Sequence, residues 1–115
     1  GADAWFSQVQ TPETLGAPGV LTMASNPANN ATGVAAAVKP VLTFSNAIAE
    51  DAVTLIKTDG TLVTVVKSYD AAGKILTLSP SAALTSAGVY DIIVVGVNDV
   101  YGQTLGTSVI KFTVA

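Results

Sequence analysis

Carboxylates are the side chains of this chain that offer acid–base chemistry, because its 115 residues include no His and no Cys. General acid–base catalysis needs two titratable groups that meet in a pocket. The acids lie mostly among turn-forming residues instead: Glu50, Asp51, Asp59, Asp70 and Asp99. Turn formation accounts for these positions, so we predict no catalytic residue and no enzyme activity.

Metal binding is the second chemistry that carboxylates offer. The adjacent Glu50 and Asp51 would supply oxygen ligands. A hard cation such as Ca²⁺ takes six or more oxygens, however, and no loop of alternating Asp residues provides them. We therefore predict that this pair caps a helical turn and that the chain holds no metal and no cofactor.

Asp99 is the strongest single polar candidate and lies in the loop 98–102. Its carboxylate is placed to accept backbone N–H groups two or three residues further on, while Gly102 takes a positive φ. This arrangement closes a turn between two strands. A calcium site completed by oxygens of an adjoining domain is the alternative.

Three tyrosines complete the set of candidate side chains. Tyr69 and Tyr101 occupy predicted loops, where an exposed ring stacks on sugars or anchors a protein contact, so cell-surface carbohydrate is a candidate partner. Tyr90 begins a predicted strand, where sandwich domains often bury a tyrosine. We place Tyr90 in the core, with its hydroxyl bonded to a nearby backbone carbonyl.

Charge and hydropathy exclude two classes of partner. The net charge is −3, and the basic residues are isolated lysines at positions 39, 57, 67, 74 and 111. They form no basic stripe, which argues against nucleic acid. No apolar run approaches the roughly 18 to 20 residues of a membrane-spanning helix, so we predict a soluble domain that does not enter a membrane.

Short segments rich in Val, Ile, Leu and Thr recur about every ten residues between Gly, Pro, Asn and Asp. This pattern predicts an all-β, immunoglobulin-like antiparallel sandwich of about seven strands. The predicted strands are residues 20–25, 40–44, 53–58, 61–69, 74–79, 89–97 and 107–114.

Turn residues suggest how these strands connect. Asp59-Gly60 predicts a type I′ hairpin that pairs the strands on either side of it. Asp70 to Gly73 predicts a slightly longer hairpin, with Gly73 in the left-handed region. Residues 46–52 lie between the predicted strands 40–44 and 53–58. Their composition predicts a single helical turn that bridges the sheets.

Alternation assigns the two faces of the strands. The predicted core consists of Leu42, Phe44, Leu76, Leu78, Tyr90, Ile92, Val94, Ile110, Phe112 and Val114. The opposite faces are unusually apolar, because they carry Ile56, Val63, Ile93, Val95 and Val97. A monomer avoids large exposed apolar patches, so Ile93 and Val95 are candidate contacts with a neighbouring domain or subunit. A curved sandwich that partly covers both sets is the alternative.

The first residues differ in character from the rest. Trp5, Phe6 and Val9 stand among polar residues, ahead of a stretch rich in Gly and Pro. We interpret residues 1–19 as an extension or linker from a preceding domain, and residues 20–115 as one Ig-like domain.

Several short motifs occur in the order found in one known family. They are NPANNATGV at 26–34, VLTFS at 41–45, LTLSP at 76–80, AGVY at 87–90 and GVNDVYGQ at 96–103. Together they resemble the bacterial Ig-like domains first described in S-layer proteins. The resemblance covers about residues 21–114 and departs from the family pattern at Gln103, where Asn is usual.

The resemblance implies a non-catalytic spacer or interaction module of a larger assembly. Such domains occur in S-layer proteins, adhesins and wall-bound enzymes, and also after the tube domain of phage major tail proteins. Residues 4–12, AWFSQVQTP, are similar to the end of such a tube domain. We therefore expect a phage tail or virion protein, with a domain of an S-layer or cell-wall adhesin, or a carbohydrate-binding module, as the alternatives. The location implied is the virion surface or the bacterial cell surface.

Overall fold

The computed structural model describes residues 19–115, and these residues form ten short β-strands and no helix. The strands are β1 (Met23–Asn26), β2 (Ala31–Val34), β3 (Val41–Phe44), β4 (Ile48–Glu50), β5 (Thr54–Lys57), β6 (Val65–Tyr69), β7 (Ile75–Pro80), β8 (Val89–Val94), β9 (Asn98–Asp99) and β10 (Ser108–Val114). The all-β prediction is confirmed. Predictions that concern residues 1–18 lie outside the described part of the chain.

Two four-stranded sheets make the sandwich. Sheet one has the order β1-β3-β7-β6, and sheet two has the order β2-β10-β8-β5. A two-stranded ladder of β4 and β9 lies beside them. The strands pair antiparallel with one exception, because β2 runs parallel to β10. Strands β5 and β6, which follow each other in sequence, are therefore edge strands of different sheets.

The core lies between the two sheets and follows the predicted alternation. Of the ten predicted core residues, Ile110 is half-buried and the other nine are buried. Tyr90 stacks on Phe112, with the ring centroids 5.7 Å apart. The Tyr90 hydroxyl accepts a hydrogen bond from the Thr85 N–H at 2.8 Å, so its predicted backbone partner is an amide rather than a carbonyl.

Three predictions of local structure are wrong. The helical turn predicted at 46–52 is instead strand β4, which pairs with β9, so Glu50 and Asp51 do not cap a helix. The prediction also missed β2, whose sequence ATGV has no apolar alternation. The strand predicted at 61–69 begins only at Val65, because residues near 62 form a single bridge to β5 before the chain crosses to sheet one.

Val97 was predicted to point outward, but it is completely buried. The reason is Gly96, which has a φ of 64° and interrupts the strand after Val94. A residue in the left-handed region breaks the two-residue period, and the side chains beyond it change face. Val97 and Asp99 consequently point inward, whereas Val95 remains exposed.

Of the two predicted hairpins, the one at Gly73 forms as predicted and the one at Asp59-Gly60 does not. Gly73 has a φ of 72°, and its turn joins the paired strands β6 and β7 as predicted. Gly60 also has a positive φ, of 98°, but Asp59 does not. The 59–60 turn is therefore not type I′, which requires a positive φ at both central residues. Its flanking segments share little pairing because β5 bonds mainly to β8.

Ala87 is strained, with a φ of 58° in the left-handed region. An L-residue other than glycine is disfavoured there by about 1 to 2 kcal/mol, which exceeds the entropy cost of glycine in the unfolded chain. We expect Ala87→Gly to raise the melting temperature by about 3 to 6 °C, measured by circular dichroism. Ala82→Gly, at an exposed alanine without a positive φ, is the control and should lower it; a lower value for both variants would contradict the prediction.

No helix long and apolar enough to cross a membrane occurs in residues 19–115.

Candidate functional site

Within residues 19–115, Asp99 is the one charged residue that is buried, with 2% of its surface exposed. It lies in β9, which the ladder with β4 holds against the end of the sandwich. Its Oδ1 accepts the backbone N–H groups of Tyr101 at 3.0 Å and Gln103 at 2.8 Å. Gly102, with a φ of 83°, completes the turn. The predicted turn-closing role of Asp99 is therefore confirmed.

The other oxygen of Asp99 has partners that local sequence did not reveal. Oδ2 accepts hydrogen bonds from Asn46 Nδ2 at 3.0 Å and from Gln103 Nε2 at 2.9 Å. The same two amide groups also donate to the backbone carbonyl of Gly19, each at 2.9 Å. Asn46 and Gln103 thus join the buried carboxylate to the point where the described chain begins. We call these four residues the Asp99 clamp.

Gln103 is the position at which the sequence departs from the family pattern. Its longer side chain bridges Asp99, four residues earlier, and Gly19, 84 residues earlier. The sequence feature that indicated this role was therefore the departure from the family pattern at position 103. Asn46 offered no signal, because its partner Asp99 is 53 residues away.

Hydrogen bonding decides the ionisation of Asp99. Burial alone would raise the pKa of this carboxyl group, but the N–H donors of Gln103, Asn46 and Tyr101 outweigh it and hold the pKa below its ordinary value. An ionised carboxylate has about four lone-pair sites, and all four are used. The carboxylate is surrounded by N–H groups, which are the wrong partners for a cation. The calcium alternative for Asp99 therefore finds no support in this geometry.

Asp51 forms a second polar cluster, which links the edges of the two sheets. It lies between β4 and β5, and its side chain is 10% exposed. Oδ1 accepts from Lys67 Nζ at 2.6 Å and from the Val53 N–H at 3.1 Å, and Oδ2 accepts from the Tyr69 hydroxyl at 2.6 Å. Burial raises the Asp51 pKa, but these bonds dominate and lower it; the same burial and the neighbouring carboxylate raise the pKa of Tyr69.

The two candidate contact tyrosines differ in their surroundings. Tyr69 is 37% exposed and its hydroxyl is committed to Asp51, whereas Tyr101 is 59% exposed. A groove of about 260 Å³ lies elsewhere, lined by residues 36–39 and 80–83. That lining contains no aromatic ring and no carboxylate. The groove therefore brings neither tyrosine to a concave surface of the kind that sugar-binding sites use.

The candidate contact residues Ile93 and Val95 follow the outer face of sheet two. Ile93 is half-buried in β8, and Val95, just beyond that strand, is 37% exposed. Val109 of β10 lies directly opposite Ile93 and is 48% exposed. The outer face of sheet two is thus apolar at these three residues, whereas Val97 is buried and Val63 packs against the core instead of pointing outward.

Within residues 19–115, no group of three or more Asp and Glu side chains is placed to hold a metal ion. The carboxylates at 51, 59, 70 and 99 each bond instead to N–H groups of nearby residues.

Acid should destabilise the domain, because the pKa values of Asp51, Asp59, Asp70 and Asp99 are all lowered in the folded state. A carboxyl group with an unfolded pKa of about 4 then stabilises the fold fully above that pH, and this contribution is lost as the pH falls towards the lower folded value. We expect the melting temperature to be constant between about pH 6 and 8 and to fall below about pH 4. A melting temperature that rises on acidification would contradict this.

Two kinds of protein are among the solved structures of similar fold. The copper resistance protein PcoC from Escherichia coli, described as methionine rich, aligns with 86% of this chain and all of its own, at 25% identity and a TM-score of 0.65. CopC from Methylosinus trichosporium OB3b aligns over 83% of this chain and 91% of its own, at 20% identity and a TM-score of 0.68.

The other kind is the surface layer protein SbsC. Its structure of domains 1–6 matches 73% of this chain at 15% identity and a TM-score of 0.56. The chain spans only 13% of that SbsC chain. At these identities, the likeness to SbsC and CopC concerns the fold.

Comparison with curated proteins finds no match. A family model described as "Bacterial Ig-like domain", however, matches residues 16–114, which is most of the chain and includes every strand of the sandwich. The chain therefore belongs to the bacterial Ig-like domain family.

Proposed function

We propose that this domain is a non-catalytic structural module of a larger surface assembly, and that the assembly is a phage tail or virion. The Asp99 clamp is the observation that carries the proposal. Two side-chain amides fasten the Gly19 carbonyl to a buried, fully bonded carboxylate. The chain at Gly19 is thereby fixed to the interior of the sandwich, as a rigid structural module requires.

The clamp gives this module its mechanical property. Strand β1 follows Gly19 closely, and Ser45 adds two more bonds there: its Oγ accepts from the Thr22 N–H and donates to the Val20 carbonyl. The chain is thus bonded at three successive points before it enters sheet one. These bonds fix residues 19–22 against the sandwich, so the chain is held in one position where it enters the domain.

The resemblance of residues 4–12 to the end of a phage tail tube domain supports the virion as the parent assembly. An S-layer or cell-wall protein is the second candidate, and the fold shared with SbsC domains favours it. The two candidates place the domain on the virion surface or on the bacterial cell surface. Both use many copies of one module, so weak contacts of each copy would add up through avidity.

Copper handling, suggested by the names of PcoC and CopC, is not what these residues are equipped for. Copper sites in proteins use Cys and Met sulfur or His nitrogen. This chain has one Met and neither Cys nor His. The shared fold therefore supports a common scaffold without a common ligand.

Electron microscopy of the full-length gene product tests the proposal. We expect purified full-length protein to assemble into tubes if the parent is a tail protein, or into flat lattices if it is an S-layer protein, with this domain as a protrusion. Deleting residues 19–115 should remove the protrusion. A full-length protein that forms no ordered assembly would refute the structural role.

Carbohydrate binding by Tyr69 or Tyr101 is tested separately on a glycan array. The isolated domain, displayed at high density, is expected to show no retention, because Tyr69 is bonded to Asp51 and the groove holds no aromatic ring. Retention that is lost in Tyr101→Ala but not in the buried-core control Tyr90→Phe would make the domain a carbohydrate-binding module instead.

A further inference from the structure

The outer face of sheet two is formed by alternate residues of neighbouring strands, and cross-strand pairing arranges these residues in rows. One row pairs Ile93 of β8 with Val109 of β10, and the next pairs Asp91 with Lys111. Apolar surface surrounds the charged row, since Ile56 of β5 lies directly beside Asp91. Val109 is nearly half exposed, so this face has an apolar surface with one charged pair of positions inside it.

Asp91 is unsatisfied on this face. Its Oδ1 is shielded from solvent and accepts no hydrogen bond from any described residue. Lys111 lies opposite it across the ladder, yet no described carboxylate forms a salt bridge with Lys111. Two opposite charges thus lie side by side on this face without an ion pair between them.

We propose that this face is a homotypic interface, and that its occupant is the same face of a second copy of this chain. The inference rests on the proposed function and names the partner in the assembly. The face is self-complementary, because each of its residues can lie opposite a suitable residue of an identical face. A two-fold axis that runs between β8 and β10, parallel to them, places every residue of β8 opposite its own cross-strand partner in the other copy.

Under that symmetry the two rows become two matched contacts. Asp91 of each copy faces Lys111 of the other, so two reciprocal ion pairs form. Ile93 of each copy packs on Val109 of the other, which buries the exposed apolar side chains. The two outer faces stack as aligned sheets do within a sandwich.

Overall charge opposes this contact only weakly. The 115-residue chain carries five lysines against eight acidic residues, a net charge of −3. The repulsion between two copies is therefore small, whereas the charges at the centre of the face attract. A partner of one charge sign would satisfy only one of the two central residues.

Charge reversal tests this arrangement by sedimentation of the 115-residue chain across a range of concentrations. We expect weak self-association that Asp91→Lys or Lys111→Asp alone weakens at least about tenfold, because each places like charges opposite each other. Mixing the two variants should restore association, since lysines 91 and 111 of one then face aspartates 111 and 91 of the other. Heterotypic recovery is the outcome that only this interface predicts.

Two valine variants test whether association uses the outer face of sheet two or that of sheet one. Val109→Lys should abolish association, whereas Val66→Lys, at a 66% exposed residue on the outer face of sheet one, should leave it unchanged. Melting temperatures show that each variant is folded. A chain that stays monomeric at every concentration, association that survives Val109→Lys, or single variants that fail to recover on mixing would each overturn the interface.

Val109→Lys in the full-length protein distinguishes a failure of the interface from a failure of the proposed function. If full-length protein carrying Val109→Lys still forms its tubes or lattices with normal contacts between protrusions, the homotypic interface is wrong and the structural role stands. If wild-type full-length protein forms no assembly, the proposed function fails, while sedimentation of the chain still decides the interface.

Discussion

Replacing Asp99 with alanine is expected to lower the melting temperature by about 10 °C or more. The substitution removes all four hydrogen bonds that its carboxylate accepts. It leaves one N–H of each of the Asn46 and Gln103 amides, and two backbone N–H groups, without an acceptor at a position where Asp99 itself is buried. Thermal unfolding followed by circular dichroism measures the change.

Asp99→Asn separates the contribution of Oδ1, which accepts backbone N–H groups, from that of Oδ2, which accepts side-chain amide groups. An asparagine oxygen still accepts from the backbone N–H groups of Tyr101 and Gln103, but its NH₂ group then faces the NH₂ groups of Asn46 and Gln103. We expect a melting temperature between those of the wild type and Asp99→Ala. Gln103→Ala, which leaves the turn and removes one side-chain bond to Asp99 and one to Gly19, should have the smallest effect of the three. Equal melting temperatures for wild type and Asp99→Ala would show that the clamp does not stabilise the domain.

Gly88→Ala is expected to destabilise the domain by about 2 kcal/mol or more, which lowers the melting temperature by about 10 °C. A Cβ atom at residue 88 would lie 2.9 Å from the Thr85 carbonyl oxygen and 2.9 Å from Cε1 of Tyr90. Neither neighbour can move cheaply. The Thr85 carbonyl accepts the Gly88 N–H at 3.0 Å, and the Tyr90 ring is stacked on Phe112.

Gly106→Ala is the matched control for Gly88→Ala. A Cβ atom at residue 106 would meet nothing within 4 Å, and Gly106 has no positive φ. Alanine there reduces the entropy of the unfolded chain, so the melting temperature should stay unchanged or rise slightly. If both alanine variants unfold at the same temperature, the contact with Tyr90 is not the constraint that we describe.

The sequence predicted the core well because burial and alternation act on single strands. Leu42 and Phe44, or Ile92 and Val94, are buried as expected, since a strand packed on one face has a period of two residues. Interruption of that period was harder to foresee. Gly96 offered freedom to turn, but whether the strand continued through it depended on how residues 98 and 99 paired with β4.

The site was predicted only where its contacts are local. Asp99 bonds to N–H groups within four residues, and the spacing of Asp99 and Gly102 indicated such a turn. The amides that complete the clamp come from distant positions. Asn46 is part of the segment predicted as helical. It lies just before strand β4, and that strand forms only through the β4–β9 ladder of the assembled sandwich.

Lys67 has a consequence for crowded copies of the domain. It lies on edge strand β6 opposite Leu78, and so faces the inside of the sandwich at its rim, where it bonds to Asp51. An unpaired edge can recruit a strand from a neighbouring chain and begin a fibril. A recruited strand would have to cover this lysine and its ion pair, so the rim resists strand exchange wherever copies of the domain are crowded.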